Sequence, residues 1–183
     1  MPVLKIRRAS PEDARILGAL HSACWRAAYQ GIVPDEYLAE FTPEKRTAFF
    51  ARILPEKRNE NYLLSIGKTI VGMMAIGPAL DKDLPAFMGE IQALYLLPAF
   101  WGKGYGRQAM AFAMERLRCL GYDEAALWVL TDNANARCFY DRYGFAPDGK
   151  EKPIMLGKEL MEARYRMALG GNGREAGKSD NPS

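Results

Sequence analysis

The segment Glu90–Arg107 decides the fold, and it reads E-I-Q-A-L-Y-L-L-P-A-F-W-G-K-G-Y-G-R. Its apolar first half ends at Pro98 and is typical of a buried strand. Gly102, Gly104 and Gly106 then occupy every second position, and a segment of helical periodicity follows. Glycines let a loop expose consecutive backbone N–H groups, and a helix N-terminus adds unpaired N–H groups and partial positive charge. The segment therefore predicts a strand, an anion-binding loop and a helix in succession.

Glycine spacing of this kind also occurs in P-loops, in dinucleotide-binding loops and in ordinary strand-to-helix turns. The chain has no G-x-x-x-x-G-K-[ST] string, which excludes a P-loop. A dinucleotide-binding motif G-x-G-x-x-G that begins at Gly102 is excluded, because Arg107 occupies the position of its third glycine. If the motif begins at Gly104, Ala109 occupies that position, and this motif tolerates alanine there. That second reading lacks an acidic residue placed to bind a ribose after a following strand. An ordinary strand-to-helix turn stays open on the glycine spacing alone.

Two sequence blocks resemble the GNAT superfamily of N-acetyltransferases. The first, [Q/R]-x-x-G-x-[G/A] after a strand, is similar to W-G-K-G-Y-G at 101–106, with Trp101 in place of the usual polar residue. The second, N-x-x-A-x-x-F-Y-x-x-x-G-F, occurs without a gap at 133–145. The resemblance spans roughly residues 3–168 and implies an α/β (α+β) GNAT fold, with a mixed sheet of about seven strands and about four helices. It implies one domain over residues 1–169 and a sheet that is split at the cofactor site.

The same resemblance implies how acetyl-CoA, the co-substrate, is bound. The amides of residues 102–107 hold the pyrophosphate, and the backbone of Leu94 and Leu96 faces the acetyl carbonyl and pantetheine. Asn133 hydrogen-bonds the pantetheine arm, or it simply caps the following helix. The predicted cofactor-binding residues are Leu94, Leu96, Trp101, Gly102, Lys103, Gly104, Tyr105, Gly106, Arg107, Asn133 and Tyr140.

Acetyl transfer to an amine requires a base for the ammonium proton and benefits from an acid for the leaving thiolate. By resemblance, Glu90 is the base and Tyr140 is the acid. The alternatives are a polar strand-end residue for Glu90 and a core aromatic for Tyr140. Trp25 and Tyr29 lie in W-R-A-A-Y-Q-G-I-V-P, which resembles a motif of small bacterial-type members. With Glu90 they are predicted to bind the acceptor, although both aromatic side chains can equally pack the first helix on the sheet.

Composition narrows the remaining classes. The chain has 183 residues with 49 % hydrophobic and 26 % charged, which suits one globular domain. The net charge of +3 is too small to indicate nucleic-acid binding. Three scattered cysteines and one histidine favour neither a disulfide framework nor a metal site, and Cys119 and Cys138 are expected to be buried. No signal peptide or membrane span is recognised, so a cytoplasmic protein is expected, without a membrane partner and with a homodimer left open.

The sequence thus predicts an acetyl-CoA-dependent N-acetyltransferase, without a metal, that acts on the primary amine of a small molecule. Direct attack in a ternary complex is preferred, because no Cys or Ser is paired with a base in the motifs. Acetylation of a protein N-terminus or lysine remains open, as does a non-catalytic acyl-CoA-binding regulatory module. The glycine-rich segment 170–183 is expected to be a disordered tail.

Overall fold

Seven strands form one mixed sheet in the computed structural model, which describes residues 3–170. The strands are β1 (Lys5–Arg8), β2 (Glu60–Ile66), β3 (Thr69–Pro78), β4 (Met88–Leu96), β5 (Glu124–Leu130), β6 (Ala146–Met155) and β7 (Glu159–Ala168). Their order across the sheet is β1-β2-β3-β4-β5-β7-β6. Only β4 and β5 pair in parallel, and every other neighbouring pair is antiparallel. The predicted mixed sheet is confirmed, while the predicted tail, except Gly170, lies outside the described residues.

Five α-helices occur between residues 3 and 170, one more than expected. They are α1 (Ala14–Tyr29), α2 (Asp35–Ala39), α3 (Pro43–Ile53), α4 (Tyr105–Cys119) and α5 (Ala134–Tyr143). The extra helix arises because the segment after Pro34 divides at Thr42. Thr42 is the N-cap of α3 and its hydroxyl accepts from the Lys45 N–H at 3.3 Å, while Pro43 occupies the first helical position.

The helices cover both faces of the sheet. Successive side chains of a strand point to opposite faces, and the consecutive residues Met73 and Met74 of β3 show the result. Met73 packs in a cluster with Leu17 of α1 and Phe50 of α3. Met74 packs in the cluster that contains Met110 and other residues of α4. The sheet therefore lies between two apolar layers, and the site described below depends on an interruption within it.

That interruption is the split between β4 and β5. The two strands pair only at Met88–Glu124, Gly89–Ala125 and Glu90–Ala126. Immediately beyond, Gln92 forms a β-bulge, because Ile76 of β3 pairs with Ile91 and the preceding Ala75 pairs with Ala93. A bulge bends its strand and increases the local twist. The rest of β4 runs apart from β5, and the split that the resemblance implies is present.

The cysteines correct one prediction. All three are free thiols, and Cys24 is buried on α1. Cys119 and Cys138, which were expected to be buried, are exposed. On α4 the buried positions Ala109, Ala113 and Leu117 follow helical spacing, and Cys119 at the end of the helix falls off that stripe. Within residues 3–170, no helix is long and apolar enough to cross a membrane.

Candidate active site

A cavity of about 860 Å³ occupies the split between β4 and β5. Its walls are the part of β4 beyond the bulge, the glycine loop and first turn of α4, and one face of α5. Predicted cofactor residues that line it are Leu94, Leu96, Trp101, Gly102, Gly104, Gly106, Arg107, Asn133 and Tyr140. Nine of the eleven predicted cofactor residues thus surround one cavity, and the other two, Lys103 and Tyr105, are described below.

The glycines of the loop serve different purposes. Gly102 and Gly104 have φ angles of +68° and +77°, in the left-handed region that favours glycine. Gly106 lies in the first turn of α4, where a Cβ atom would stand 3.3 Å from the ring of Phe139. The backbone N–H groups of residues 102–107 find no acceptor in the described part of the chain. A row of unpaired N–H groups at a helix N-terminus is suited to bind a phosphate group.

The other side chains of this loop divide between cavity and core. Trp101 donates its indole N–H to the Leu96 carbonyl at 2.7 Å, so it ties the loop to the end of β4. Tyr105 is buried among apolar residues on the far side of α4. The Lys103 ammonium stands 5.8 Å from the Phe100 ring and does not line the cavity. Tyr105 therefore offers its backbone, but not its side chain, to a ligand in the cavity.

The second wall depends on α5. Asn133 caps this helix, and its side-chain oxygen accepts from the Ala136 N–H at 3.1 Å. The capping alternative is therefore present in the structure, and the role toward pantetheine stays a prediction. Arg142 lines the cavity as well, together with Arg107. Sequence reasoning missed Arg142, although it lies three residues after Phe139 on α5, on the same face of the helix, and Phe139 also lines the cavity.

Tyr140 lies on α5 with its ring toward the larger cavity. Phe139 and Phe145 contact it edge-on, with ring centroids 5.3 Å and 6.1 Å away. Burial, and to a smaller degree the neighbouring Tyr29, raises the pKa of the Tyr140 hydroxyl well above 10.0. The hydroxyl therefore stays protonated at neutral pH and is available as a hydrogen-bond donor.

A second cavity, of about 320 Å³, adjoins the first. Glu90, Trp25 and Glu162 line it. The residues that line both cavities are Tyr29, Ile91, Gln92, Tyr95 and Trp128. The two cavities thus meet at the bulge of β4.

Glu90 lies at the closed end of the split between β4 and β5. It is 6 % exposed and belongs to the last residue pair between β4 and β5. One carboxylate oxygen accepts from the Leu80 N–H at 2.8 Å. Burial raises the pKa of this carboxyl, the Leu80 hydrogen bond lowers it, and the charges of Asp81 and Glu162 raise it again. A carboxylate with a raised pKa is a stronger base than an ordinary carboxylate.

Trp25 and Tyr29 both line the smaller cavity and also pack in the core. Trp25 is 8 % exposed and stacks on Phe41 with a centroid distance of 4.1 Å. The Tyr29 hydroxyl is 3.2 Å from the hydroxyl of Tyr95, a residue that sequence reasoning missed. Tyr95 lies between Leu94 and Leu96 on the strand, so alternation was the signal that its side chain faces the opposite way.

Known proteins are similar to this chain in sequence and in fold. The chain is 25 % identical over 146 residues to YuaI, an uncharacterized N-acetyltransferase of Bacillus subtilis, with 77 % of this chain and 79 % of the relative covered. It is 28 % identical over 147 residues to the aminoalkylphosphonate N-acetyltransferase of Salmonella typhimurium, with 79 % and 86 % covered. The crystal structure of the PaiA N-acetyltransferase from Thermoplasma acidophilum in complex with coenzyme A superposes with a TM-score of 0.67. It is 22 % identical and covers 88 % of this chain and 98 % of its own.

The mixed sheet, its split and the glycine loop define an acyl-CoA-type transferase fold. The model of the acetyltransferase (GNAT) family matches residues 21–145, and the chain belongs to that family. It is an acetyl-CoA-dependent N-acetyltransferase.

Proposed function

We propose that this enzyme transfers the acetyl group to the primary amine of a small molecule by direct attack, with both substrates bound together. The observation that carries the proposal is that the two cavities meet at Gln92 and Tyr95. The larger cavity, with its row of unpaired N–H groups, suits the cofactor. The smaller cavity lies within the size range of small-ligand sites and contains the candidate base Glu90.

Glu90 and Tyr140 carry out the proton transfers of the reaction. Bound acetyl-CoA supplies the acetyl thioester. Glu90 accepts a proton from the acceptor ammonium, because burial raises the pKa of its carboxyl and only one of its oxygens is engaged by Leu80. Tyr140, whose hydroxyl is protonated, donates a proton to the departing thiolate. The amine nitrogen bonds to the acetyl carbon as the C–S bond breaks, and coenzyme A leaves as the thiol. The second proton that this nitrogen loses restores the Tyr140 hydroxyl, and Glu90 releases its proton to water.

The cysteines support direct attack over an acyl-enzyme. Neither cavity is lined by Cys24, Cys119 or Cys138. Burial raises the pKa of the Cys24 thiol to about 12, which leaves almost no reactive thiolate at neutral pH. The three free thiols are also compatible with the reducing cytoplasm that we propose as the setting of this reaction.

Steady-state kinetics with a panel of small amines and of peptides tests this function. We expect thiol release with small amines, intersecting initial-velocity patterns, and no acetylated protein by mass spectrometry after incubation with acetyl-CoA alone. Turnover only with peptides would favour acetylation of a protein N-terminus or lysine. Tight coenzyme A binding without turnover on any acceptor would favour a non-catalytic binding module.

A further inference from the structure

The charges around the smaller cavity do not balance. Arg164, which is 5 % exposed, binds Asp148 at 2.7 Å, Asp83 at 3.0 Å and Asp81 at 3.3 Å. The Lys152 ammonium stands 3.8 Å from Asp81 and 3.8 Å from the centre of the Trp128 ring. These basic side chains are thus engaged by the aspartates that fasten the loop after β3 to β5, β6 and β7.

Two carboxylates that face the cavity remain, Glu90 and Glu162. Neither forms an ion pair with any residue between 3 and 170, and no Lys, Arg or His in that range lines the smaller cavity. Burial raises the pKa of both carboxyls, and the charge of Lys152 acts on both in the opposite direction. Lys152 lies opposite Glu162 on the neighbouring strand β6, but its ammonium contacts Asp81 and the Trp128 ring. A ligand with positive charge would therefore compensate two carboxylates that form no ion pair within residues 3–170.

The register of the sheet places these two carboxylates apart on the same face. Glu90 pairs with Ala126 of β5, and Glu162 pairs with Leu130 of the same strand. Paired residues of neighbouring strands point to the same face. Their backbones are therefore separated by four residues along the sheet and by two strand spacings across it, roughly 15 Å in all. Leu130 and Ile154, together with the ring of Tyr95, provide apolar walls between them.

We propose that Glu162 is a specificity residue that selects acceptors with two or more positive charges, namely aliphatic diamines and longer polyamines. One amine lies beside Glu90 and is acetylated, the methylene chain contacts the apolar walls, and the second ammonium pairs with Glu162. This inference rests on the proposed function and adds the class of acceptor to it. An acceptor that carries a phosphonate or carboxylate in place of the second amine would be repelled by the negative charge of Glu162.

Three four-carbon amines separate the possibilities, because they differ only at the far end: putrescine, butylamine and γ-aminobutyrate. We expect kcat/KM for putrescine to exceed that for butylamine by roughly tenfold to a hundredfold, the effect of a hydrogen bond between charged groups. The value for γ-aminobutyrate should be the lowest. Glu162→Gln should bring kcat/KM for putrescine close to that for butylamine by raising KM for putrescine.

Glu159→Gln is the matched control, since Glu159 is an exposed carboxylate on the same strand and does not line the cavity. It should leave the preference for putrescine intact. Calorimetry of putrescine with the enzyme saturated with coenzyme A gives a second readout, and the affinity should fall in Glu162→Gln. Thermal melting checks that this variant is folded.

The outcomes are distinct. If butylamine or γ-aminobutyrate is used as well as putrescine, or if Glu162→Gln keeps the preference, the inference about Glu162 is overturned while the small-amine function stands. If none of the three amines supports thiol release and only peptides do, both are overturned.

Discussion

Replacing Glu90 by Gln separates proton acceptance from the other properties of this residue. Gln retains a side-chain oxygen that can accept from the Leu80 N–H, now at 2.8 Å, so the loop after β3 should remain attached. A primary amine has a pKa near 10.4, so only about one molecule in a few thousand is neutral at pH 7. Without a base, the reaction depends on that fraction. We expect kcat/KM at pH 7 to fall by about 10²–10⁴-fold and to recover about tenfold per pH unit as the pH rises toward 10.

Thiol release measured between about pH 5 and about pH 10 tests this expectation, within the range over which the amine titrates. In the wild-type enzyme the base must be ionised, so activity is present above the pKa of Glu90 and lost as the pH falls through it. Burial raises that pKa above 4.5, so the acidic limb should lie above 4.5 and should disappear in Glu90→Gln. Glu162→Gln removes the same charge from the same cavity and should keep the limb. Parallel profiles for Glu90→Gln and the wild type would refute the role of Glu90 as the base.

Three further variants test the cofactor site and the stability of the fold. Tyr140→Phe should lower kcat by about 10²–10⁴-fold with little change in KM for acetyl-CoA; a wild-type kcat, when chemistry is rate-limiting, would leave Tyr140 a packing role. Gly104→Val should weaken coenzyme A binding in calorimetry because valine disfavours positive φ, whereas Gly67→Val, which also places valine at positive φ but in the β2–β3 turn, should not. Equal affinities of the two variants for coenzyme A would exclude the loop as the phosphate site. Arg116 holds the pKa of Glu60 at about 2, below its ordinary 4.5, so this ion pair stabilises the fold above pH 4.5 and its contribution is lost as the pH falls toward 2. Glu60→Gln should lower the free energy of unfolding at pH 7 by about 2 kcal/mol, after allowance for solvent screening, and should flatten the acid limb of stability in urea titrations; an unchanged limb would contradict the assignment.

The strand, the loop and the helix start of residues 90–107 follow from local patterns, whereas the split mixed sheet was implied by the resemblance to the family. An apolar run, glycines at alternate positions and a helical stripe each report the conformation of their own residues. The N-cap at Asn133 is likewise a local feature, because Asn133 both begins the N-x-x-A-x-x-F-Y motif and precedes the first residue of helix α5.

The features that sequence reasoning missed depend on pairing between distant residues. The bulge at Gln92 exists only relative to β3, and no glycine or proline marks it. Glu162 reaches the smaller cavity because β7 pairs with β5, and the sequence around it shows only partial alternation. The engagement of Arg164 by Asp81 and Asp83 joins residues more than eighty positions apart. Such contacts are set by tertiary structure, so the balance of charge around the acceptor cavity could not be predicted from local patterns.

The split in the sheet has a consequence for association between molecules. Unpaired strand edges ordinarily attract strands of other chains and promote aggregation, and natural proteins shield them. Here the unpaired stretches of β4 and β5 lie inside the molecule, on either side of a cavity closed at one end by the pairs from Met88 to Glu90. This arrangement leaves the edges of β4 and β5 available to a narrow ligand in the cavity, but not to the strands of other copies of the protein.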